Sequence, residues 1–227
     1  LGIAVCNVPG TNSNAVADLT FGLMLAVARN IVSTNRWVHE GRWQTAIGVD
    51  VCGKTLGLMG FGAIAKNVAR RANGFGMKVL AYDPYVKELP EEFRSYVTLC
   101  GENEVISGCD FLSLHLPLND ETRNMISAPQ LASMKAGAYV INAARGGIVN
   151  EKDLYEALVS GHIAGAAMDV SEVEPMAAEN PLRTLDNVII TPHIGMYSKE
   201  AIGAVSLICA QNVAACAVGA ELKFRVV

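Results

Sequence analysis

Residues 55–83 read Thr55-Leu-Gly-Leu-Met-Gly60-Phe-Gly62-Ala63-Ile64-Ala65-Lys-Asn-Val-Ala-Arg-Arg-Ala-Asn-Gly-Phe-Gly-Met-Lys-Val-Leu-Ala-Tyr-Asp83. An apolar run leads to a glycine turn, a helical pattern, a second apolar run and an aspartate. Leu56, Leu58 and Met59 suit a strand buried on both faces. Gly60 lets the chain turn off that strand, and Gly62 lets a pyrophosphate approach the backbone closely. A helix follows, with Ile64 and Val68 at i, i+4 spacing. Its first N–H groups lack partners within the helix and suit a phosphate. Gly74 or Gly76 ends it. Lys78–Tyr82 is the second strand. Asp83 ends that strand about 20 residues after the glycines, where a carboxylate accepts from ribose hydroxyls. It also repels a 2′-phosphate, so the expected cofactor is NAD rather than NADP. The third fingerprint position is Ala65, where Gly or Ala serves close helix–strand packing. A lone G-x-G-x-x-A is a weak signal, and the flanking strand, helix, strand and aspartate make it a strong one.

Outward from this stretch, the chain has 227 residues, room for one large domain or one domain with fragments of another. Its hydrophobic content of 51% against 18% charged residues implies a sizeable core. A net charge of −4 without a basic patch argues against a nucleic-acid partner. The apolar stretch Leu19–Ala28 is too short to span a bilayer, so no membrane partner is expected. The six cysteines make no C-x-x-C pair and fit no zinc spacing. They read mostly as small core residues in a reduced, cytoplasmic protein. Cys209 and Cys216 share a helix face but lie too far apart along it to bridge. The start at Leu1 and the end at Val227 read like the interior of a longer chain.

A capping stretch, 11–14, precedes an apolar helix over 15–30, then a polar segment with Trp37 and Trp43. Expected strands cover 55–60, 78–82, 111–116, 138–142, 164–169 and 188–191, with a short one near Val97. Among the helices between them, the clearest starts at Asn150, buries Leu154, Ala157 and Leu158, and ends at Gly161. Residues 199–218 form a final apolar helix. Repeated β–α units with continuous apolar strands predict an α/β, doubly wound parallel sheet.

Ligands bind such sheets at the carboxyl ends of the strands. Those ends carry Ser113-Leu-His115-Leu116-Pro117, Asn142-Ala143-Ala144-Arg145-Gly146-Gly147, Asp169 with Glu172 and Glu174 behind it, and Thr191-Pro-His193-Ile-Gly195. An arginine fork holds a carboxylate in a bidentate pair. An imidazole takes a hydroxyl proton while hydride leaves the same carbon. A carboxylate behind the imidazole fixes its tautomer. Together these spell oxidation of a 2-hydroxy acid or reduction of a 2-keto acid. Each residue alone has a plainer reading: Arg145 as a surface ion pair, His193 as a turn histidine, Glu174 as a loop residue. Their order at successive strand ends favours chemistry. His115 stays open between structure and function. His39 and His162 read as surface helix residues.

At these residues the chain resembles the D-isomer-specific 2-hydroxyacid dehydrogenases, and within them the D-3-phosphoglycerate dehydrogenase branch. The resemblance runs through V-C-N-V-P-G-T-N, G-K-T-L-G-L-M-G-F-G-A-I, Y-D-P-Y, S-L-H-L-P-L, I-N-A-A-R-G-G-I-V, A-A-M-D-V-S-E-V-E-P and T-P-H-I-G. It implies a Rossmann-type NAD-binding domain over 9–197 and remnants of a smaller substrate domain at 1–8 and 198–227, whose N-terminal half lies outside this chain. It makes Arg145 the substrate-orienting arginine, His193 the acid/base, and Glu174, not Glu172, its partner. Around the cofactor it places Gly60, Gly62, Ala63, Ile64, Asp83, Leu116, Ala143, Ala144, Arg145, Asp169, His193 and Gly195. Asp169 would contact the nicotinamide carboxamide. The family usually has Arg or His at position 63 and Gly at 65; the alanines here remove a phosphate contact without blocking the turn. The resemblance further implies a 2-hydroxy acid substrate, 3-phosphoglycerate foremost, and a homodimer joined through the tryptophan segments. Two alternatives stand beside the enzyme: an NAD-sensing, co-repressor-like interaction protein, and a fragment that binds NAD without catalysis.

Overall fold

A computed structural model describes residues 3–227; Leu1 and Gly2, part of the expected 1–8 domain edge, lie outside the described residues. Seven strands form one parallel sheet: β1 (Thr55–Met59), β2 (Lys78–Tyr82), β3 (Val97–Leu99), β4 (Phe111–Leu114), β5 (Ala138–Asn142), β6 (Ile163–Met168) and β7 (Val188–Ile190). Their order is β3-β2-β1-β4-β5-β6-β7. The chain winds outward from β1 to β3, then crosses back to lay β4 on the other side of β1. That reversal puts the topological switch point, where open α/β sheets bind ligands, between the ends of β1 and β4. The expected strand 111–116 stops at Leu114, which leaves His115 and Leu116 in the loop that lines the switch point.

The strands read as continuous apolar runs because both faces are covered. Period-2 alternation divides their side chains between two cores. On one face, Leu56, Leu58, Val79, Phe111, Tyr139 and Ile141 pack with helices α1 (Ser13–Ala28) and α3 (Ala63–Gly74). On the other, Met59, Leu112, Leu114, Val140, Ala166 and Met168 pack with α4 (Glu102–Gly108), α5 (Ala128–Ser133) and α6 (Glu151–Val159). The Asn150 side chain caps α6 by accepting from the Asp153 N–H at 3.0 Å. α3 runs through Gly74, and Gly76, at φ +62°, turns the chain after it.

Three details depart from expectation. The helix expected over 15–30 is α1, but a second helix, α2 (Ile31–His39), set at 65° to it, follows in the stretch expected only to be a polar segment. Asn30, in the left-handed region at φ +53°, makes the break. α2 buries only Ser33. Its anchors are polar, Ser33 Oγ donating to the Asp186 carbonyl at 2.8 Å and Arg36 pairing with the Asp186 carboxylate, so no hydrophobic period announced it. The stretch 11–14 supplies no side-chain cap to α1; Ser13 Oγ instead donates to the Gly10 carbonyl. The cysteines are not mostly core residues either. Cys109 alone is buried, which pushes its thiol up to about 12, while Cys52, Cys209 and Cys216 are exposed.

α7 (Lys199–Ala217) is long and apolar enough, by length and composition, to cross a membrane. Only Ala201 and Asn212 on it are buried. The Asn212 amide holds the backbone of Lys223 through both its oxygen and its nitrogen. The two ends of the chain meet: Cys6 bridges Arg225 in antiparallel fashion, and Val5 and Val226–Val227 exchange backbone hydrogen bonds.

Candidate functional site

The glycine turn is built by backbone constraint. Gly60 sits at φ +91°, and a Cβ there would lie 2.7 Å from the His115 carbonyl oxygen. Its N–H donates to the Tyr82 carbonyl at 2.7 Å, while the His115 N–H donates to the Met59 carbonyl at 2.8 Å. The turn is thereby wedged between the ends of β2 and β4, with Leu116 against it. Gly62 begins α3 in an extended conformation, with no side-chain cap and open space where a Cβ would stand. The first-turn N–H groups of α3 face that space with no acidic side chain beside them. Ala63 is exposed, Ile64 half-buried and Ala65 buried against the sheet.

Asp83 has a role beyond the ribose contact expected of it. One carboxylate oxygen accepts from the Phe61 N–H at 2.8 Å and the other from the Tyr85 N–H at 2.9 Å. A carboxylate has about four acceptor positions, so capacity for ribose hydroxyls is left. The same side chain therefore locks the glycine turn to the end of β2.

At the end of β5, Asn142 is fully buried. Its amide donates to the Arg145 carbonyl at 3.0 Å and its oxygen accepts from the Ala144 N–H at 3.1 Å, curling Ala143 and Ala144 into a tight turn. Gly146 permits the next step, because a Cβ there would come within 1.7 Å of the Ser171 carbonyl oxygen. Arg145 is thus presented at the surface. Its Nη1 donates to the Ala144 carbonyl at 2.6 Å, and among the described residues no carboxylate forms an ion pair with it.

Asp169, at 1% exposure, follows β6. Its carboxylate accepts from Thr191 Oγ1 at 2.6 Å and from the N–H groups of Ile194 and Gly195 at 2.9 and 2.8 Å. Its carbonyl accepts from the His193 N–H at 2.8 Å. These bonds hold His193 at φ +55°, in the left-handed region a non-glycine residue rarely adopts. The structure thus gives Asp169 the work of shaping the histidine turn, with about one of the four acceptor positions of its carboxylate left over. Thr191 and Asn142, unremarked as functional in the sequence, prove to be its counterparts in positioning. Their signal was their place as polar residues ending apolar strands.

His193 Nδ1 lies 2.8 Å from Glu174 Oε2, both side chains about half exposed. Glu172 is not bonded to His193; its backbone N–H donates to the Glu151 carboxylate at 2.7 Å. Partial burial raises the Glu174 carboxyl, but the His193 hydrogen bond, the Ser171 N–H and the charges of His193 and Arg145 outweigh it and hold it below the ordinary glutamate range. The Glu174–Pro175 peptide is cis. A cleft of about 770 Å³ opens on the His193 side, lined by Glu174, His193, Thr191, Pro175, Met176 and Leu182. The glycine turn stands outside it, on open surface.

The remaining histidines separate. His115 is half-buried with Nε2 3.0 Å from Ser113 Oγ, and its Nδ1, itself enclosed, has no partner among the described residues. Burial depresses its pKa to about 4, so it is neutral at ordinary pH. His39 ends α2 in solvent. His162 is not on a helix but in the turn before β6, half-buried, with Nε2 3.1 Å from the Met134 carbonyl. No group of three or more His, Cys, Asp or Glu able to hold a metal occurs among the described residues.

Residues 21–195 match the family described as "D-isomer specific 2-hydroxyacid dehydrogenase, NAD binding domain". The chain is 45% identical over 214 residues to the D-3-phosphoglycerate dehydrogenase of Methanocaldococcus jannaschii, a match covering 93% of this chain and 41% of that protein. It is 47% identical over 206 residues to the hydroxypyruvate reductase of Thermotoga maritima, covering 88% of this chain and 65% of that one. The chain thus spans less than two thirds of either relative. The crystal structure of D-lactate dehydrogenase with NAD+ from Lactobacillus jensenii superposes with a TM-score of 0.88 at 32% identity, over 99% of this chain and 72% of that one.

Proposed function

The chain belongs to the D-isomer specific 2-hydroxyacid dehydrogenase family and carries its NAD-binding domain, and on that premise we propose that it transfers hydride between NAD and a D-2-hydroxy acid. One observation carries the reading: the His193–Glu174 pair at 2.8 Å, standing with the unpaired cation Arg145 at the ends of neighbouring strands. The residues around the glycine turn fit the cofactor. Gly62 leaves room, the first turn of α3 offers uncapped N–H groups, and Asp83 keeps acceptor capacity. Bound NAD would supply the hydride acceptor.

Arg145 holds the substrate carboxylate through its planar fork. With Glu174 accepting from Nδ1–H, His193 presents Nε2 as the base. Nε2 takes the hydroxyl proton as the C–H bond to the same carbon breaks toward the cofactor, and the oxygen's electron pair closes the carbonyl. Glu174 then stabilises the imidazolium. In the reverse direction His193 returns the proton.

The substrate we favour is 3-phosphoglycerate, in keeping with the D-3-phosphoglycerate dehydrogenase relative. The other names, a hydroxypyruvate reductase and a D-lactate dehydrogenase, share the 2-hydroxy acid chemistry and differ in the rest of the substrate. A homodimer is part of the proposal, supported by Trp43 at 90% and Ile47 at 100% exposure together with Ile31 and Val38. The cytoplasm is the proposed compartment, in keeping with metabolic relatives.

The test is NADH formation by the purified protein over a panel of D-2-hydroxy acids. Turnover undiminished in His193→Ala would sink the mechanism. A second reading, NAD binding without catalysis, draws on the half-exposed His193–Glu174 pair. Calorimetric binding of NAD with no turnover of any acid would favour it, and with it a sensing role over an enzymatic one.

A further inference from the structure

We propose that Lys66 is the phosphate-facing cation of the NAD site, its ammonium engaging the cofactor's diphosphate where position 63 offers only a methyl group; the inference rests on the NAD-site reading above. α3 carries three cations, Lys66, Arg70 and Arg71. Arg71 is held by Asp18 and by the Asn67 carbonyl. Arg70 grips Glu92 through two nitrogens, at 3.0 and 2.7 Å, and lies 5.1 Å above the Phe93 ring. Lys66 alone makes no ion pair among the described residues.

Its position explains what it is free for. Lys66 lies in the first turn of α3, its N–H bonded to the Gly62 carbonyl at 3.0 Å. Side chains on a helix lean toward the N-terminus, so its stem covers the turn that begins at Gly62. Its Nζ stands 6.0 Å from the centroid of Phe61, the residue between the two turn glycines, whose N–H is bound to Asp83. The half-buried stem therefore keeps the charge near the Phe61 ring, at the N-terminal end of α3. No acidic side chain occupies the first turn of α3 to neutralise it. Glu92 faces it from the segment after β2, but that carboxylate is already held by Arg70, whose hydrogen bond chiefly keeps it below its ordinary range, with a weaker pull from Lys66. A compact ammonium on a flexible stem is suited to a diphosphate approaching that turn.

The experiment is calorimetry of NAD, ADP and adenosine on the wild-type chain, Lys66→Gln and Lys66→Arg. Lys66→Gln is expected to weaken NAD and ADP by about tenfold, the scale of one charge-assisted contact, and to leave adenosine unchanged. Lys66→Arg keeps most of the ADP affinity, and the loss in Lys66→Gln shrinks as salt is raised, since the contact is partly exposed. Equal ADP affinity in wild type and Lys66→Gln would overturn the proposal. So would an equal loss for adenosine, which has no phosphate and would report a disturbed turn instead. Wild-type protein that binds neither NAD nor ADP overturns the cofactor-site reading, and the proposal with it.

Discussion

The two working ends of the sheet are made differently. Around β1 and β2 the site is backbone: a positive-φ glycine wedged against a neighbouring carbonyl, N–H groups at a helix start, and a carboxylate that bonds the turn and keeps acceptor positions free. Around β5, β6 and β7 it is side chains: Arg145, Glu174 and His193 stand exposed on loops, while Asn142, Asp169 and Thr191 lie beneath them and fix the loop shapes. Binding a diphosphate asks for room and fixed dipoles, which backbone supplies. Moving a proton asks for a titrating group in reach of the reacting atom, which must be exposed until substrate covers it. The buried polar layer reconciles the two demands by fixing exposed groups from below.

The sharpest way to break the contrast is His193→Ala. Turnover should fall by roughly 10²–10⁴, the span of a lost general acid–base, while NAD affinity in calorimetry stays within a factor of two or so. A matching loss of NAD affinity would mean that the two ends are not separable. Gly146→Ala comes next. A Cβ 1.7 Å from a backbone oxygen forces the Arg145 loop and the loop after Asp169 apart. The expected cost is about 3 kcal/mol in urea unfolding, in the overpacking range. Gly60→Ala meets a backbone oxygen at 2.7 Å and a positive φ, and should cost about 2 kcal/mol and abolish measurable NAD binding.

Asp83→Ala removes an acceptor from the Phe61 N–H, and with it about 1 kcal/mol of stability. ADP affinity should fall with it, through both the ribose contact and the loosened turn. The smallest effect concerns Glu174. Its carboxyl is held below the ordinary range when folded, so the stabilisation it adds is present above the unfolded value and is lost as pH falls through the folded one. Thermal midpoints of wild type and Glu174→Gln should therefore differ slightly near neutrality and converge in acid. The exposure of the pair keeps that difference small. A gap that widened in acid would reverse the sign and break the assignment of the shift.

Legibility followed the same division. The β1–α3–β2 unit could be read residue by residue, because glycine spacing, buried-strand composition and a terminal aspartate are local signals. The five further strands were readable to within about two residues for the same reason. α2 was not, because its hold on the fold is the polar contact of Ser33 and Arg36 with Asp186, about 150 positions away. The three exposed chemical residues were readable as a set from their order at strand ends. Their supports were harder: Asp169 was expected at the cofactor and is found gripping the Thr191–Gly195 turn, and the exposure of Cys52, Cys209 and Cys216 was hidden by a residue type that usually packs inside.

By itself, then, the sequence determined a doubly wound sheet, a dinucleotide turn and the residue types for hydride chemistry, since each depends on spacing along a few neighbouring residues. Only the tertiary structure decided that Asp83 and Asp169 each brace a turn, and that, among the described residues, Lys66 alone of the cations of α3 stands free of an ion pair. Those facts depend on distances across the sheet ends, between residues tens of positions apart, and chain spacing holds no information about them until the strands have packed.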